Sequence, residues 1–298
     1  MRKPLFTGTG VAIVTPFLKD AIDWDAFGRL IDLQLKSGTD AIVVCGTTGE
    51  ATTLTYDERL RAIEFCVERV NGRVPVIAGS GSNATSVAVT LSQDAVRAGA
   101  DGLLVVTPYY NKASQEGLIR HYQTVADAVD RPVILYNVPS RTGVKMTPET
   151  YAELAGHPNI QGVKEASGDL GAIQKTRALC PEDFYIWSGN DDETVPIWVL
   201  GGVGVISVAA NVIPLQMHRM TQLCREGDFR AAGAMQVEFK ALCDALFCQV
   251  NPIPVKTAME LLGLCSGSLR LPLCPPDEAC RGQIRRTLEQ YGLFQAAQ

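Results

Sequence analysis

The stretch 131–167, RPVILYNVPSRTGVKMTPETYAELAGHPNIQGVKEAS, contains the repeating unit that decides the fold. Two short, mainly apolar runs, 133–137 and 160–164, flank a segment that opens with Thr147-Pro148, a typical helix start. Runs that are apolar throughout, rather than alternating, are typical of parallel strands buried on both faces. The stretch therefore predicts a strand–helix–strand unit.

Similar runs recur along the chain and are separated by amphipathic stretches. Six more are found, at 11–14, 41–45, 74–78, 103–106, 184–187 and 203–208. Two of the separating stretches, 24–36 and 57–70, have apolar residues at helical spacing. Eight such units in about 225 residues predict a closed (β/α)8 TIM barrel. The alternative, a doubly wound open sheet, does not usually need eight similar repeats.

The pattern of strands stops after Arg225. Three later segments have helical character, 228–250, 254–262 and 277–291, and proline or glycine separates them. We therefore expect two regions. Residues 1–225 form the barrel with the active site, and residues 226–298 form a C-terminal helical appendage.

Composition and charge narrow the classes of function. The chain has 298 residues, 46% of them hydrophobic, and a net charge of −5. No run of Lys or Arg suits a phosphate backbone, so nucleic acid is not an expected partner. No segment approaches the roughly 18 apolar residues of a membrane span, and the N-terminus lacks the apolar stretch of a signal peptide. We expect a cytoplasmic protein with no membrane partner.

The nine cysteines have no spacing that indicates a disulfide framework or a zinc site. Their number is odd, and no C-x-x-C pair occurs. The pattern predicts reduced thiols that pack as small hydrophobic side chains.

Lys164 is the most unusual residue of the strand pattern, because lysine is rarely buried. Barrel enzymes place their chemistry at the carboxyl ends of the strands, which is where Lys164 lies. Burial disfavours the charged form of an amine, and a neutral amine can form a Schiff base with a carbonyl substrate. The alternative is a structural lysine whose amine extends from the strand end into solvent.

Polar motifs follow two other strands. Residues 46–50, Gly-Thr-Thr-Gly-Glu, which we call the hydroxyl turn, combine exposed N–H groups with Thr47 and Thr48 and suit a carboxylate. Tyr136 ends the fifth strand and can pass a proton, and Arg141 can hold a second carboxylate. Each motif alone is also compatible with an ordinary loop. Together they indicate amine catalysis on a keto acid.

Four motifs in order resemble the 4-hydroxy-tetrahydrodipicolinate synthase (dihydrodipicolinate synthase) family: GTTGE at 46–50, PYYN at 108–111, YNVPSRTG at 136–143 and VKEASG at 163–168. The resemblance extends across essentially the whole chain and includes NPIPVK at 251–256. It implies a lyase that condenses pyruvate with L-aspartate 4-semialdehyde in lysine and diaminopimelate biosynthesis. It implies no metal and no organic cofactor.

The resemblance also implies roles for individual residues. Lys164 corresponds to the Schiff-base lysine, and Thr47 and Thr48 correspond to the turn that binds the pyruvate carboxylate. Thr48, Tyr136 and Tyr110 correspond to a proton relay in which the last tyrosine is lent across a subunit interface.

Further positions follow from the same resemblance. Arg141 corresponds to the residue that receives the carboxylate of the semialdehyde, and Gly189 and Ile206 correspond to backbone contacts near the lysine. The resemblance implies a homotetramer built as a dimer of dimers.

Other functions stay open at this point. N-acetylneuraminate lyase and 2-keto-3-deoxy sugar acid aldolases share the lysine and the strand-end tyrosine. Thr48 and Arg141 favour the synthase over these lyases. A non-catalytic sensor that binds a keto acid is a further alternative, since a fold alone does not determine function.

Feedback inhibition by lysine is not expected. The positions that correspond to the inhibitor site of sensitive relatives are occupied by Tyr56, Arg59 and Val87, whereas Asn83 and Tyr109 are retained. Without a carboxylate at Val87 the lysine amine lacks a charge partner. The sequence predicts weak or absent inhibition.

Overall fold

The computed structural model describes residues 2–295, and its centre is a closed barrel of eight parallel strands. Each strand pairs with the next one along the chain, and the last pairs with the first, so the barrel prediction is confirmed. The strands are β1 Gly8–Ala12, β2 Ala41–Val44, β3 Val76–Gly79, β4 Gly102–Val106, β5 Val133–Asn137, β6 Ile160–Glu165, β7 Tyr185–Ser188 and β8 Gly204–Ser207.

Helices follow the strands and surround the barrel. Their bounds are α1 Trp24–Lys36, α2 Tyr56–Val70, α3 Thr85–Arg97, α4 Gln115–Asp127, α5 Pro139–Thr142, α6 Pro148–Leu154, α7 Leu170–Leu179, α8 Thr194–Val199 and α9 Pro214–Glu226. The appendage adds α10 Phe229–Glu238, α11 Lys240–Ala245, α12 Ile253–Leu261 and α13 Glu278–Gln290. None of the helices in residues 2–295 has the length and apolar character to cross a bilayer.

The first strand differs from its prediction. The apolar run at 11–14 suggested a strand there, but β1 begins at Gly8 and ends at Ala12. Gly8 pairs with Gly204 and closes the barrel, and a Cβ on Gly8 would lie 2.2 Å from Oδ2 of Asp40. β1 therefore begins with small residues. They allow the close approach of neighbouring chain segments, but they lack the apolar pattern that predicts a strand.

Two apolar layers hold the barrel together. One lies between the strands and the surrounding helices, and the other fills the barrel interior. In the interior Trp187 stacks on Phe6 with ring centroids 5.4 Å apart. This inner layer includes Tyr136 and Ile206, so it extends to the carboxyl ends of the strands.

The structure of the appendage differs from two predictions. The segment 228–250 forms two helices, α10 and α11, and the second ends at Ala245. The chain then turns, so that Cys248 reaches Cys280 of α13 and forms a disulfide with it. The expectation of reduced thiols is wrong for this pair, because a separation of 32 residues gives no local signal. The other seven cysteines within residues 2–295 are free.

The division at residue 225 stays a prediction, and its outermost residues, Met1 and 296–298, lie outside the described part of the chain. The appendage is tied to the barrel helices by an ion pair between Arg270 and Glu58 of α2, with Nη1 and Oε2 2.7 Å apart. Glu58 also forms a capping box with Thr55 at the start of α2.

Arg270→Gln is expected to change how stability depends on pH. The hydrogen bonds from Arg270 lower the pKa of Glu58 from 4.5 to about 2. A carboxyl whose pKa is lower in the folded state stabilises the fold above its unfolded pKa. That contribution is lost as the pH falls from about 4.5 to about 2. The variant should lose roughly 1.5–3 kcal/mol at pH 7 and show a flatter decrease below pH 4.5.

Urea unfolding at pH 7 and a series of melting temperatures from pH 7 to pH 2 would measure this effect. Arg281→Gln is the matched control, since it breaks the exposed ion pair with Glu260 of the same appendage. An Arg270→Gln variant with the pH profile of the parent chain would contradict the assignment.

Candidate active site

Lys164 and Tyr136 occupy paired positions of β6 and β5. Residues in register on neighbouring parallel strands direct their side chains to the same face of the sheet. The Lys164 Nζ lies 4.3 Å from the centroid of the Tyr136 ring, and Lys164 is only 5% exposed. The amine is therefore enclosed beside an aromatic ring with a proton-carrying hydroxyl, and it does not extend into solvent.

Gly189 follows β7 and approaches the lysine closely. A Cβ built on Gly189 would be 3.2 Å from Cε of Lys164 and 3.0 Å from the carbonyl oxygen of Glu165. Glycine leaves this space free beside the amine, and its N–H donates to the Glu165 carbonyl over 2.7 Å. Ile206 of β8 lies in the inner core and is fully buried.

The hydroxyl turn is compact and partly buried. The N–H of Glu50 donates to the carbonyl of Thr47 over 3.1 Å, which closes the turn. Thr48 is buried, and its Oγ1 accepts a hydrogen bond of 3.0 Å from Nδ2 of Asn251. The position of the Thr48 hydroxyl is therefore set by a residue of the appendage.

Asn251 connects the hydroxyl turn to Arg141, a role that the sequence did not reveal. Its carbonyl oxygen accepts a 3.0 Å hydrogen bond from Nη2 of Arg141, while its side chain holds Thr48. The Oδ1 of Asn251 is buried and has no partner within residues 2–295. The only sequence signal was the motif NPIPVK, whose polar first residue lies far from the strand ends in sequence.

A cavity of about 520 Å³ opens above these residues. Three of the eight predicted site residues, Thr47, Tyr136 and Arg141, contribute to its wall together with Asn251, whereas Lys164, Thr48, Tyr110, Gly189 and Ile206 are not among the residues that line it. Such a cavity is large enough for two small carboxylic acids. No group of three or more metal-ligating side chains occurs in the part of the chain that the structure describes.

Tyr110 does not join this group within the chain. It is 90% exposed and has a φ of +75°, a left-handed conformation that is unfavourable for a bulky residue. Its backbone N–H donates to the carbonyl of Thr142, but its hydroxyl has no hydrogen bond within residues 2–295. The backbone thus holds the ring away from the barrel of its own chain.

A buried carboxyl, Glu165, supports the strand end that carries the lysine. It accepts hydrogen bonds from the Tyr151 hydroxyl at 2.7 Å, from Nδ2 of Asn137 at 3.0 Å and from the N–H of Ser167 at 2.9 Å. Burial raises the pKa of Glu165 despite these donors. The sequence indicated nothing about this network, although its acidic residue directly follows Lys164.

Comparison with known proteins agrees with this geometry. A model of the "Dihydrodipicolinate synthetase family" matches residues 5–291. A 4-hydroxy-tetrahydrodipicolinate synthase from Thermoanaerobacter pseudethanolicus is 52% identical over 295 residues, 99% of each chain. The dihydrodipicolinate synthase structure from Aquifex aeolicus is 45% identical with a TM-score of 0.95, and the match covers 97% of this chain and 99% of that one.

A third relative was solved with a substrate of the predicted reaction. The chloride-inhibited dihydrodipicolinate synthase from Acinetobacter baumannii, complexed with pyruvate, is 41% identical with a TM-score of 0.94 over 96% of this chain and 99% of that one. These similarities confirm the synthase prediction over the alternative lyases, and with it a lyase of lysine and diaminopimelate biosynthesis. The chain belongs to the dihydrodipicolinate synthetase family.

Proposed function

We propose that Lys164 is the residue that holds pyruvate as an imine while it condenses with L-aspartate 4-semialdehyde to give 4-hydroxy-tetrahydrodipicolinate. The observation that carries the assignment is the enclosed amine beside the Tyr136 ring, at the carboxyl ends of β5 and β6. An amine in this position can attack a ketone, and the protonated imine that results acts as the electron sink.

The reaction proceeds through an enamine. The Lys164 amine attacks the ketone carbon of pyruvate, and water leaves to give the protonated imine. Loss of a methyl proton gives the enamine, whose carbon attacks the aldehyde of the second substrate. The amino group of that substrate then attacks the imine carbon, which closes the ring and releases the lysine amine. Tyr136 and Thr48 carry protons between these steps.

The two substrate carboxylates are bound by different groups. The hydroxyl turn presents the Thr47 and Thr48 hydroxyls to pyruvate, and the Arg141 guanidinium receives the carboxylate of the semialdehyde. Backbone groups of Gly189 and Ile206 lie near the imine. Fixed donors at both carboxylates orient the enamine carbon toward the aldehyde and lower the entropic part of the barrier.

Borohydride reduction in the presence of pyruvate tests the assignment. We expect a covalent adduct on the peptide that contains Lys164, and a cyclised product when the semialdehyde is added instead of borohydride. An adduct without cyclised product would indicate another pyruvate-dependent lyase. Absence of any adduct would indicate a protein that binds the keto acid without covalent catalysis.

We also propose that the active form is at least a dimer, within a homotetramer that is a dimer of dimers. The exposed Tyr110 ring, held outward in a left-handed conformation, supports an arrangement in which it completes the site of a neighbouring copy. Tyr110→Phe is then expected to lower kcat by roughly 10²-fold, because one relay hydroxyl is lost. Initial rates would measure this, with the mass in solution unchanged.

Mixing two inactive variants gives a sharper test of the shared site. Tyr110→Phe subunits supply Lys164, and Lys164→Met subunits supply Tyr110. If the tyrosine crosses the interface, random mixing restores about a quarter of the parental sites, since half of the dimers are mixed and each has one complete site. No recovery after subunit exchange would show that Tyr110 does not act across the interface.

We propose a cytoplasmic location as well. It is supported by the seven free cysteines within residues 2–295, of which five are buried, against one disulfide, Cys248–Cys280. Cell fractionation with an antibody to the chain would test it.

Lysine is expected to inhibit weakly or not at all. Around the predicted positions the Tyr56 hydroxyl is hydrogen-bonded to Asp94, and Nη2 of Arg59 donates to the Ala51 carbonyl over 2.7 Å. Val87 is 46% exposed and offers no charge to an ammonium group. Rates measured with up to millimolar L-lysine should stay close to the uninhibited value. Inhibition in the micromolar range would refute the prediction.

A further inference from the structure

A fully buried ion pair links the appendage to the hydroxyl turn. Nζ of Lys256, in α12, lies 2.7 Å from Oε1 of Glu50, and neither side chain has exposed surface. Two charges removed from water are tolerated only when they pair well and when their other hydrogen-bonding groups are satisfied. Neither residue takes part in the reaction steps described above, so the pair has another role.

The remaining bonds of the pair show which parts of the chain it joins. Lys256 also donates to the carbonyl of Thr15, over 2.9 Å, and its amine lies 4.3 Å from the centroid of the Phe17 ring. The second oxygen of Glu50, Oε2, accepts from the backbone N–H of Arg270 over 3.1 Å. Two parts of the appendage therefore meet at the Glu50 carboxylate, and Lys256 connects them to the segment that contains Thr15 and Phe17.

Glu50 is the last residue of the hydroxyl turn, and its backbone is in a strained conformation. Its φ is +52°, in the left-handed region that glycine and asparagine occupy more readily. A residue keeps such a conformation when the surrounding structure determines it. Here the carboxylate is fixed by Lys256 and Arg270, while the N–H closes the turn onto Thr47.

We propose that Glu50 and Lys256 are positioning residues for pyruvate. Their ion pair holds the hydroxyl turn in the conformation that directs the Thr47 hydroxyl at the pyruvate carboxylate. The proposal rests on the proposed function of that turn. The pair acts on binding of the keto acid and not on the later proton transfers, because the Glu50 N–H bonds to Thr47, whereas the Thr48 hydroxyl is held separately by Asn251.

The test requires a variant that removes the pair without leaving a buried charge. Lys256→Met alone would leave the Glu50 carboxylate unpaired, and loss of folding would then obscure the result. Glu50→Gln/Lys256→Met removes both charges and keeps both side-chain lengths. The glutamine amide oxygen can still accept from the Arg270 N–H. Arg281→Gln is the control, since it breaks an exposed ion pair of the same appendage.

The readouts separate positioning from stability. We expect the pyruvate concentration for half-maximal borohydride trapping, and the pyruvate KM, to rise about tenfold or more in the double variant. The kcat at saturating pyruvate and the KM for the semialdehyde should stay within about threefold of the parent. The melting temperature and circular dichroism establish that each variant is folded, and the control should match the parent in all readouts.

A folded double variant with the parental dependence on pyruvate would overturn the proposal. If the double variant does not fold, Glu50→Asp decides, since it keeps both charges but shortens the side chain by one methylene and so lengthens its bonds to Lys256 and Arg270. That variant should raise the pyruvate KM by about threefold or more, and an unchanged KM would overturn the proposal. A parent chain that forms no adduct would instead refute the proposed function, so the two failures are distinguishable.

Discussion

Replacing Lys164 with methionine is expected to abolish the pyruvate adduct and to lower the condensation rate by about 10³-fold or more, as loss of a covalent nucleophile does in other enzymes. Methionine has a similar length and is apolar, so the buried site beside the Tyr136 ring should accept it. Lys164 forms no salt bridge within residues 2–295, so its removal breaks no ion pair. The melting temperature should therefore be equal to that of the parent chain or higher.

Mass spectrometry after borohydride reduction and initial-rate measurements would test this result. Lys175→Met is the matched control, because Lys175 is exposed and forms a surface ion pair with Glu149. Surface pairs of this kind contribute little, so the control should keep its adduct and its rate. A Lys164→Met variant that still formed the adduct would assign the Schiff base to another amine.

Tyr136→Phe should cause the second largest loss. The phenylalanine ring keeps the contact with the Lys164 amine and removes only the hydroxyl. Loss of a positioned proton carrier typically costs roughly 10²–10⁴-fold in rate. We expect kcat to fall within this range, while the KM for the semialdehyde changes little because Arg141 is untouched.

Initial rates with each substrate varied would measure this change. Tyr185→Phe is the control, since Tyr185 begins β7 and its hydroxyl bonds to the carbonyl of Arg2, away from the carboxyl ends of the strands. That variant should have the parental kcat. If both variants lost the same modest activity, the effect would be structural and the relay would have to be reassigned.

Much of the fold and part of the site were predictable from local patterns. Apolar runs predict the strands and place Tyr136 and Lys164 at strand ends, and the parallel order of consecutive strands brings the ends of β5 and β6 together. The start of β1 could not be predicted because its glycines carry no apolar signal. A side chain at Gly8 would collide with Asp40 where the barrel closes, so glycine is required there.

The parts that escaped prediction depend on contacts between distant segments. Glu50 and Lys256 are separated by 206 residues, and Thr48 and Asn251 by 203. No spacing rule connects such positions, since their proximity exists only after the appendage has packed on the barrel. The Cys248–Cys280 disulfide escaped for the same reason.

The distance in sequence between Glu50 and its partners also has a consequence for biosynthesis of the chain. Synthesis proceeds from the N-terminus, so every barrel strand up to Ser207 emerges before Lys256 and Arg270 exist. At about 5–20 residues per second, the 63 residues between Ser207 and Arg270 take roughly 3–13 s to add. During that interval the nascent barrel can carry its reactive amine, but the ion pair proposed to hold the hydroxyl turn for the keto acid is still missing. The chain can therefore position pyruvate only once synthesis has reached the last tenth of the polypeptide.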